Sequence, residues 1–362
     1  MQYQLKTRQI CFFFIAFLPV TKIFMLPSIF AKLAENDMWI SCLSNILLDL
    51  SAVFAVILTC RKTDTDFFGL LKNTFGNTGS KIILSFYIVY FFIKVILPIN
   101  EQKDYIEITF YETLPNILTF VPIFLISYYI SVKKLRIVGR CADVIWIITS
   151  LGLLLLIGLS VTNADIWALL PVGVRGAKAV LSGSYAALSW YGDGVYLMFL
   201  IGQFAYKKKD GIKIIASYLI ESLSVLLFII LFYCIFTSTA DRQIFSLSEI
   251  SKYSSVIINI GRFDYIGILL ILYASVFALS MPLFFASLIL SEITGFKKPW
   301  ICALIINGAM FAFIMFFSEF FSTIQNYIIN YAGIYFLILG NIFPLFTPLL
   351  KSEKKKNALY QN

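Results

Sequence analysis

The sequence has no histidine in 362 residues, and charged side chains make up only 14% of it. Without histidine, Ser-His-Asp and Cys-His catalytic arrangements are excluded, along with the commonest metal ligand. The six cysteines (Cys11, Cys42, Cys60, Cys141, Cys234 and Cys302) form no CxxC pair and sit in or beside apolar runs. Neither zinc binding nor a disulfide framework is expected from them. No metal, no cofactor and no enzymatic activity is anticipated. Room for a soluble domain is also lacking: the longest polar intervals, 61–81, 161–182 and 239–262, are each too short to bury a core.

What the chain has instead is apolar surface, with 60% hydrophobic residues and 36 Phe, where soluble domains carry about 25% charged residues. Apolar runs recur from Ile10 to Leu350, each about the 20 residues a helix needs to cross a bilayer. They predict an all-α integral membrane protein with ten transmembrane helices near 9–33, 38–60, 82–112, 116–132, 141–160, 184–206, 212–238, 264–291, 300–320 and 325–350. The net charge of +9 would suit a nucleic-acid partner, but 20 of the 29 Lys and Arg fall in the two tails and alternate loops, counting Lys32 and Lys213 with the loops they adjoin. Six fall on the opposite side, and Lys22, Lys94 and Lys103 lie within spans. The surplus is a topology signal that places both termini in the cytoplasm, with the lipid bilayer as partner and no nucleic acid. The first span follows Lys6 and Arg8 without a small-residue cleavage site and is read as retained.

Ten spans divide into five plus five, and an odd number per half inverts one half against the other. The expectation is one polytopic domain, with a first repeat over about 9–160, a second over about 184–350, and a basic cytoplasmic tail at 351–362. The third span has two readings. It ends near Ile99 with an outer loop over 100–115, or it continues as a long helix whose polar stripe, carrying Glu101, Lys103, Asp104 and Glu107, turns inward.

Two spans are interrupted near their centres. In the sixth, "WYGDGVYLMF" places Asp193 between Gly192 and Gly194. Gly costs about 1 kcal/mol against Ala in a helix, and a central Asp costs about 2.5 to 3.5 kcal/mol. In the first, Pro19 removes a helix hydrogen bond, and Lys22 lies about 20 Å deep at 1.5 Å per residue, beyond the reach of snorkelling. Matching interruptions in the two halves are the pattern of a transporter-type site. Half-helix N-termini suit a carboxylate and unwound carbonyls suit an ammonium, so a small zwitterion is the expected ligand. The candidate binding residues are Pro19, Val20, Thr21, Lys22, Trp190, Tyr191, Gly192, Asp193, Gly194 and Ser275, with Ser280 and Thr294 as further polar positions near the eighth span. Asp49, Lys94 and Glu221 are candidates for ion or proton coupling. Plainer readings stand beside these: Pro19 as a simple kink, the two glycines as close-packing positions, and Asp193 as a structural partner of Lys22 or Lys94.

Over nearly its whole length the chain resembles the spore germination permease family, the B subunits of nutrient germinant receptors, within the amino acid–polyamine–organocation superfamily. The likeness rests on "KTRQICFFFIAFLPVTKIFMLPSIFAKLAENDMWIS" with its Asp37-Met38-Trp39, on "ETLPNIL", on "GDG", and on "RFDYIGILLILYASVFAL". The resemblance implies a LeuT-like inverted-repeat fold with broken first and sixth helices and a long third span, 82–112. It also implies a subunit of the spore inner membrane that binds a small germinant, with an amino acid as the leading candidate, beside A-type and lipoprotein C-type subunits. The runner-up function is a proton- or sodium-coupled amino acid transporter. The chain departs from the family in the first break, where Leu18-Pro19-Val20-Thr21-Lys22 stands in place of a common Gly.

Reporter fusions after Lys209 and after Asn163 are expected to report opposite sides of the membrane, with the Lys209 fusion cytoplasmic. The same side for both would refute the ten-span count.

Overall fold

A computed structural model of the chain describes residues 4–109, 116–252, 264–296 and 298–351. The C-terminal tail beyond Lys351, the expected end of the third span at 110–112, most of "ETLPNIL" and the start of "RFDYIG" lie outside the described residues.

Among the described residues the architecture is helical, with one isolated parallel bridge between Leu5 and Phe204. The first span is split into α1, Thr7–Phe17, and α2, Leu26–Ala34. Two prolines bracket the split. Pro19 follows the end of α1 and supplies no N–H, while Pro27 sits in the first turn of α2, where that loss is tolerated. Then come α3, Met38–Lys62; α4, Phe67–Thr109; α5, Asn116–Val132; and α6, Leu135–Ser160. The sixth span is split into α7, Gly176–Ala187, and α8, Gly194–Phe199. It is followed by α9, Asp210–Phe236; the short α10, Ser246–Lys252; α11, Asp264–Thr294; α12, Pro299–Phe317; and α13, Phe321–Tyr331. A last apolar helix, α14, runs Gly333–Leu349 with a π-helical middle at Leu337–Ile342.

Among the described residues, six stretches are long and apolar enough to cross a bilayer unaided. The two split spans, α5 and α14 bring the count to ten. The helix bounds follow the apolar runs closely, with three differences. α4 opens at Phe67, ahead of the expected 82, breaks at Gly76 (φ +71°), and from there is helical to Thr109, so the third span is long and the loop reading of 100–109 is corrected; Asn100, Glu101 and Gln102 are buried. The helix of the sixth span starts at Gly176 and ends at Phe199, where hydropathy placed it at 184–206. Its first turns read as polar because of Gly176, Lys178 and Ser182, yet the helix packs closely against α3 where small residues follow: Ser184 Oγ meets Ser44 Oγ at 2.5 Å, and a Cβ on Gly183 would lie 2.8 Å from Ser41 Oγ. The tenth span is bent rather than straight, with α13 and α14 meeting at Ala332.

α11 packs against α4, α5 and α6, and α1 against α6 and α9. Loops expected on one side gather at one end of the bundle. Thr7 Oγ1 donates to Asp210 at 2.7 Å, Arg8 pairs with Asp143 at 3.3 Å, and Lys72 pairs with Glu292. At the other end Asp37 of the acidic-Trp motif accepts from the Gly173 and Arg175 backbone N–H groups at 2.7 and 3.3 Å, and Arg175 pairs with Glu35. The loop before the sixth span is thus tied to the loop after the first.

The chain is crowded where α8 begins. Gly192 has φ +89°, and a Cβ there would strike the Tyr90 hydroxyl and lie 3.1 Å from Gly340 Cα in α14. Gly194 meets Ala52 of α3 in the same way, at 3.0 Å. The packing reading therefore holds for Gly194, and Gly192 is required by backbone conformation as well. Gly192→Ala is expected to lower stability by about 1–3 kcal/mol from backbone strain alone, read as a fall in melting temperature in detergent. A melt equal to wild type would mean the break does not adopt this conformation.

Candidate functional site

In a span, unwound backbone is tolerated only where its N–H and C=O groups find partners other than water. Both breaks find them in side chains from other helices. In the first, Lys22 N–H bonds Pro19 O at 3.0 Å and Thr21 Oγ1 bonds Leu18 O at 3.1 Å. The carbonyls of Ile23 and Phe24 accept from Ser246 of α10, whose Oγ lies 2.8 and 2.6 Å away and whose N–H reaches Phe24 O at 2.9 Å. In the second break, Asp49 of α3 accepts from Gly192 N–H at 2.9 Å and from Asp193 N–H at 3.2 Å. On the other side of that break, Lys94 of α4 donates to the Tyr191 carbonyl and, at 3.4 Å, to Ser189 O. A carboxylate at the start of α8 and an ammonium beyond the end of α7 match the signs of the backbone dipoles.

The two breaks are joined by Lys22. Its Nζ lies 2.5 Å from Asp193 Oδ2 and 3.0 Å from Glu221 Oε1 of α9, and 4.7 Å from the centre of the Tyr191 ring. All three charged side chains are about 99% buried or more. The partnership of Asp193 with Lys22 weighed from the sequence is present, and it includes Glu221. With Asp49, Lys94 and Glu101, the last bonded to the Trp190 indole and the Met25 backbone, two buried bases and four buried acids surround the two breaks.

Beside them lies a cavity of about 10 Å³ lined by Thr21, Lys94, Ser189, Trp190, Asp193 and Tyr196, with Phe17, Pro98, Ala278, Leu279 and Pro282 as its apolar wall. That is room for about one water. Three buried polar atoms of its lining residues have no hydrogen-bond partner among the described residues: Asp193 Oδ1, Ser189 Oγ and the Tyr196 hydroxyl. One flank is closed by Trp190, whose indole N–H donates to Glu101 Oε1 at 2.9 Å. The other is filled by rings: Tyr196 lies 4.6 Å from Phe17 and 5.5 Å from both Phe91 and Phe285. A wider recess of about 920 Å³, lined by Ser44, Lys178 and Leu337 among others, lies on the flank of α3 and α7. It does not include the buried charges.

Of the residues proposed from the sequence, Thr21, Trp190 and Asp193 line the cavity. Lys22, Tyr191 and Gly192 stand just behind that lining through the contacts above. Pro19 and Val20 are buried in the first break, and Gly194 is a packing position. Ser275 is not part of the wall: its hydroxyl donates at 2.6 Å to Leu272 O of its own helix, and Ala278 and Leu279, a turn later, face the cavity instead. Ser280 and Thr294 likewise bond their own helix at 2.7 Å, a habit of hydroxyls in spans. Asp49 and Lys94, proposed for ion coupling, are bonded to backbone at the second break. Sequence reading missed Ser189, Tyr196 and Ser246. Glu101 was visible only as one charge in the polar stripe of the third span.

Residues 4–322 match the sequence profile of a family described as "Spore germination protein". No curated protein sequence matches the chain. Among solved structures, a mutant of the manganese transporter of Eremococcus coleocola is similar over 95% of this chain and 78% of its own, with a TM-score of 0.57 at 12% identity. At that identity the likeness speaks for the fold, a LeuT-like transporter fold.

Removing one partner from a buried ion pair costs about 3–5 kcal/mol, largely from the charge left behind. Asp193→Asn and Lys22→Met are each expected to destabilise the protein by that order, and the double variant by clearly less than their sum. A double-mutant cycle on melting temperature reads the coupling. Additive losses would show that the two residues are not partners.

Proposed function

The chain belongs to the spore germination protein family, and from that membership and the closed charged site we propose that it is a germinant receptor subunit. It binds a small nutrient, an amino acid, between the two helix breaks and relays occupancy to A-type and lipoprotein C-type subunits in the spore inner membrane. The multi-pass membrane fold and the family membership are the ground for this reading. The observation that carries it is the cavity at the breaks, where Asp193, Ser189 and Tyr196 each keep a buried polar atom without a partner among the described residues. Buried polar groups in proteins are nearly always hydrogen-bonded, so such a constellation is one that a polar ligand would complete. Its size calls for opening before anything larger than water enters, which suits a protein whose output is a change of shape.

A coupled amino acid transporter is the second reading, favoured by the cluster of two bases and four acids at the breaks. Uptake separates the two: a transporter accumulates labelled amino acid in proteoliposomes under an imposed proton or sodium gradient, and a receptor binds without accumulation.

A bound ligand stabilises the folded state by about 2.7 kcal/mol at one hundred times its dissociation constant. In a thermal-shift panel of amino acids, sugars and nucleosides on purified protein, amino acids are expected to raise the melt. Sugars or nucleosides raising it, with amino acids silent, would overturn the assignment of ligand class.

A further inference from the structure

If the cavity at the breaks is the germinant site, as proposed above, the hydrogen bonds already made there narrow what it recognises. Where a broken helix binds a zwitterion through its backbone, the carboxylate needs unoccupied N–H groups at the break. At the second break they are taken. Asp49 accepts from Gly192 and Asp193 N–H, in part through both of its oxygens. At the start of α2, Pro27 removes one of the remaining donors. At the second break the chain has placed its own carboxylate where a ligand carboxylate would dock.

The cationic side of the balance is different. Lys22 and Lys94 face Asp49, Asp193 and Glu221, two bases against three acids, all buried. Lys22 Nζ engages Asp193 through Oδ2 alone, and Oδ1 of the same carboxylate has no partner among the described residues. The cavity that Asp193 lines is also lined by Ser189 and Tyr196, whose oxygens are likewise without partners there. An acid oxygen with two hydroxyl oxygens beside it is a set of acceptors, and a primary ammonium brings three donors. Lys94 already donates to two carbonyls, so one N–H remains to it, which an amide oxygen of the ligand can accept as well as a carboxylate can. Phe17, Ala278, Leu279 and Pro282 make the rest of the wall apolar.

We infer that this site recognises a small apolar primary amine, with its ammonium on Asp193 Oδ1 beside Ser189 and Tyr196, and that the ligand carboxylate is dispensable. Amino acids are then recognised as substituted amines. Lys22 stays on Oδ2 and leaves Oδ1 to the ligand.

Binding to wild-type protein tests this by calorimetry or thermal shift. The probes are L-alanine, L-valine, L-leucine and L-phenylalanine, each beside its amide, its N-acetyl derivative and its 2-hydroxy acid. The amides are expected to bind within about tenfold of the parent amino acid, and the N-acetyl derivatives and hydroxy acids at least a hundredfold more weakly. Hydroxy acids or N-acetyl derivatives binding as well as the parents, or amides failing where the parents bind, would overturn the inference and leave the amino acid reading intact. No binding by any of the four parents would overturn both. The Lys22→Met, Asp193→Asn, Glu221→Gln triple variant, which removes Lys22 together with both of its acid partners, gives a second measure: it is expected to lose response to every amine, and retained binding would place the ammonium elsewhere.

Discussion

Backbone freed inside a membrane span has no water to turn to, and the arrangement of the bundle's centre follows from how that demand is met. The first break gives its carbonyls to Ser246. The second gives its N–H groups to Asp49 and its carbonyls to Lys94. Each tie comes from a different helix, so α3, α4 and α10 are fixed to the breaks by the same bonds that make the breaks tolerable. The charges brought in for this purpose need counterparts of their own, and Lys22 of the first half bridges Asp193 and Glu221 of the second. Electrostatics here serves geometry first; the chemistry available to a ligand is the part of it left over.

Much of the fold was legible because a span must be apolar over a fixed length. Asn116–Val132 falls at the limits that hydropathy set for it, and both interrupted helices break where proline, glycine and charge coincide. Legibility failed where the meaning of a residue depends on a neighbour far along the chain. Gly183 looks like loop until Ser41 of another span stands opposite it. Asp49 reads as a relay acid until its two backbone partners, more than 140 residues away, are in place. Ser275 looked promising by type, but the single turn separating it from Ala278 decides which of them faces the cavity, and hydropathy carries no such phase.

The same distinction separates family from fold. Family membership rests on residues 4–322 of the sequence, while the likeness to a transporter structure persists at 12% identity. Span length, inverted halves and breaks with externally supplied partners tolerate almost any apolar sequence. Identities such as Lys22 and Asp193 do not follow from the fold, and they are where this chain becomes particular.

The two flanks of the central cavity are unequal. On one, Trp190 is held by a single indole hydrogen bond to Glu101. On the other, Phe17, Tyr196, Phe91 and Phe285 touch in an unbroken stack that continues to Phe199. Swinging one indole aside breaks a single hydrogen bond, whereas parting the rings uncovers several aromatic faces at once. A carrier must make two exits at comparable cost. In this molecule the two flanks differ in what must move before the cavity opens: one side chain on the first, a packed set of rings on the second.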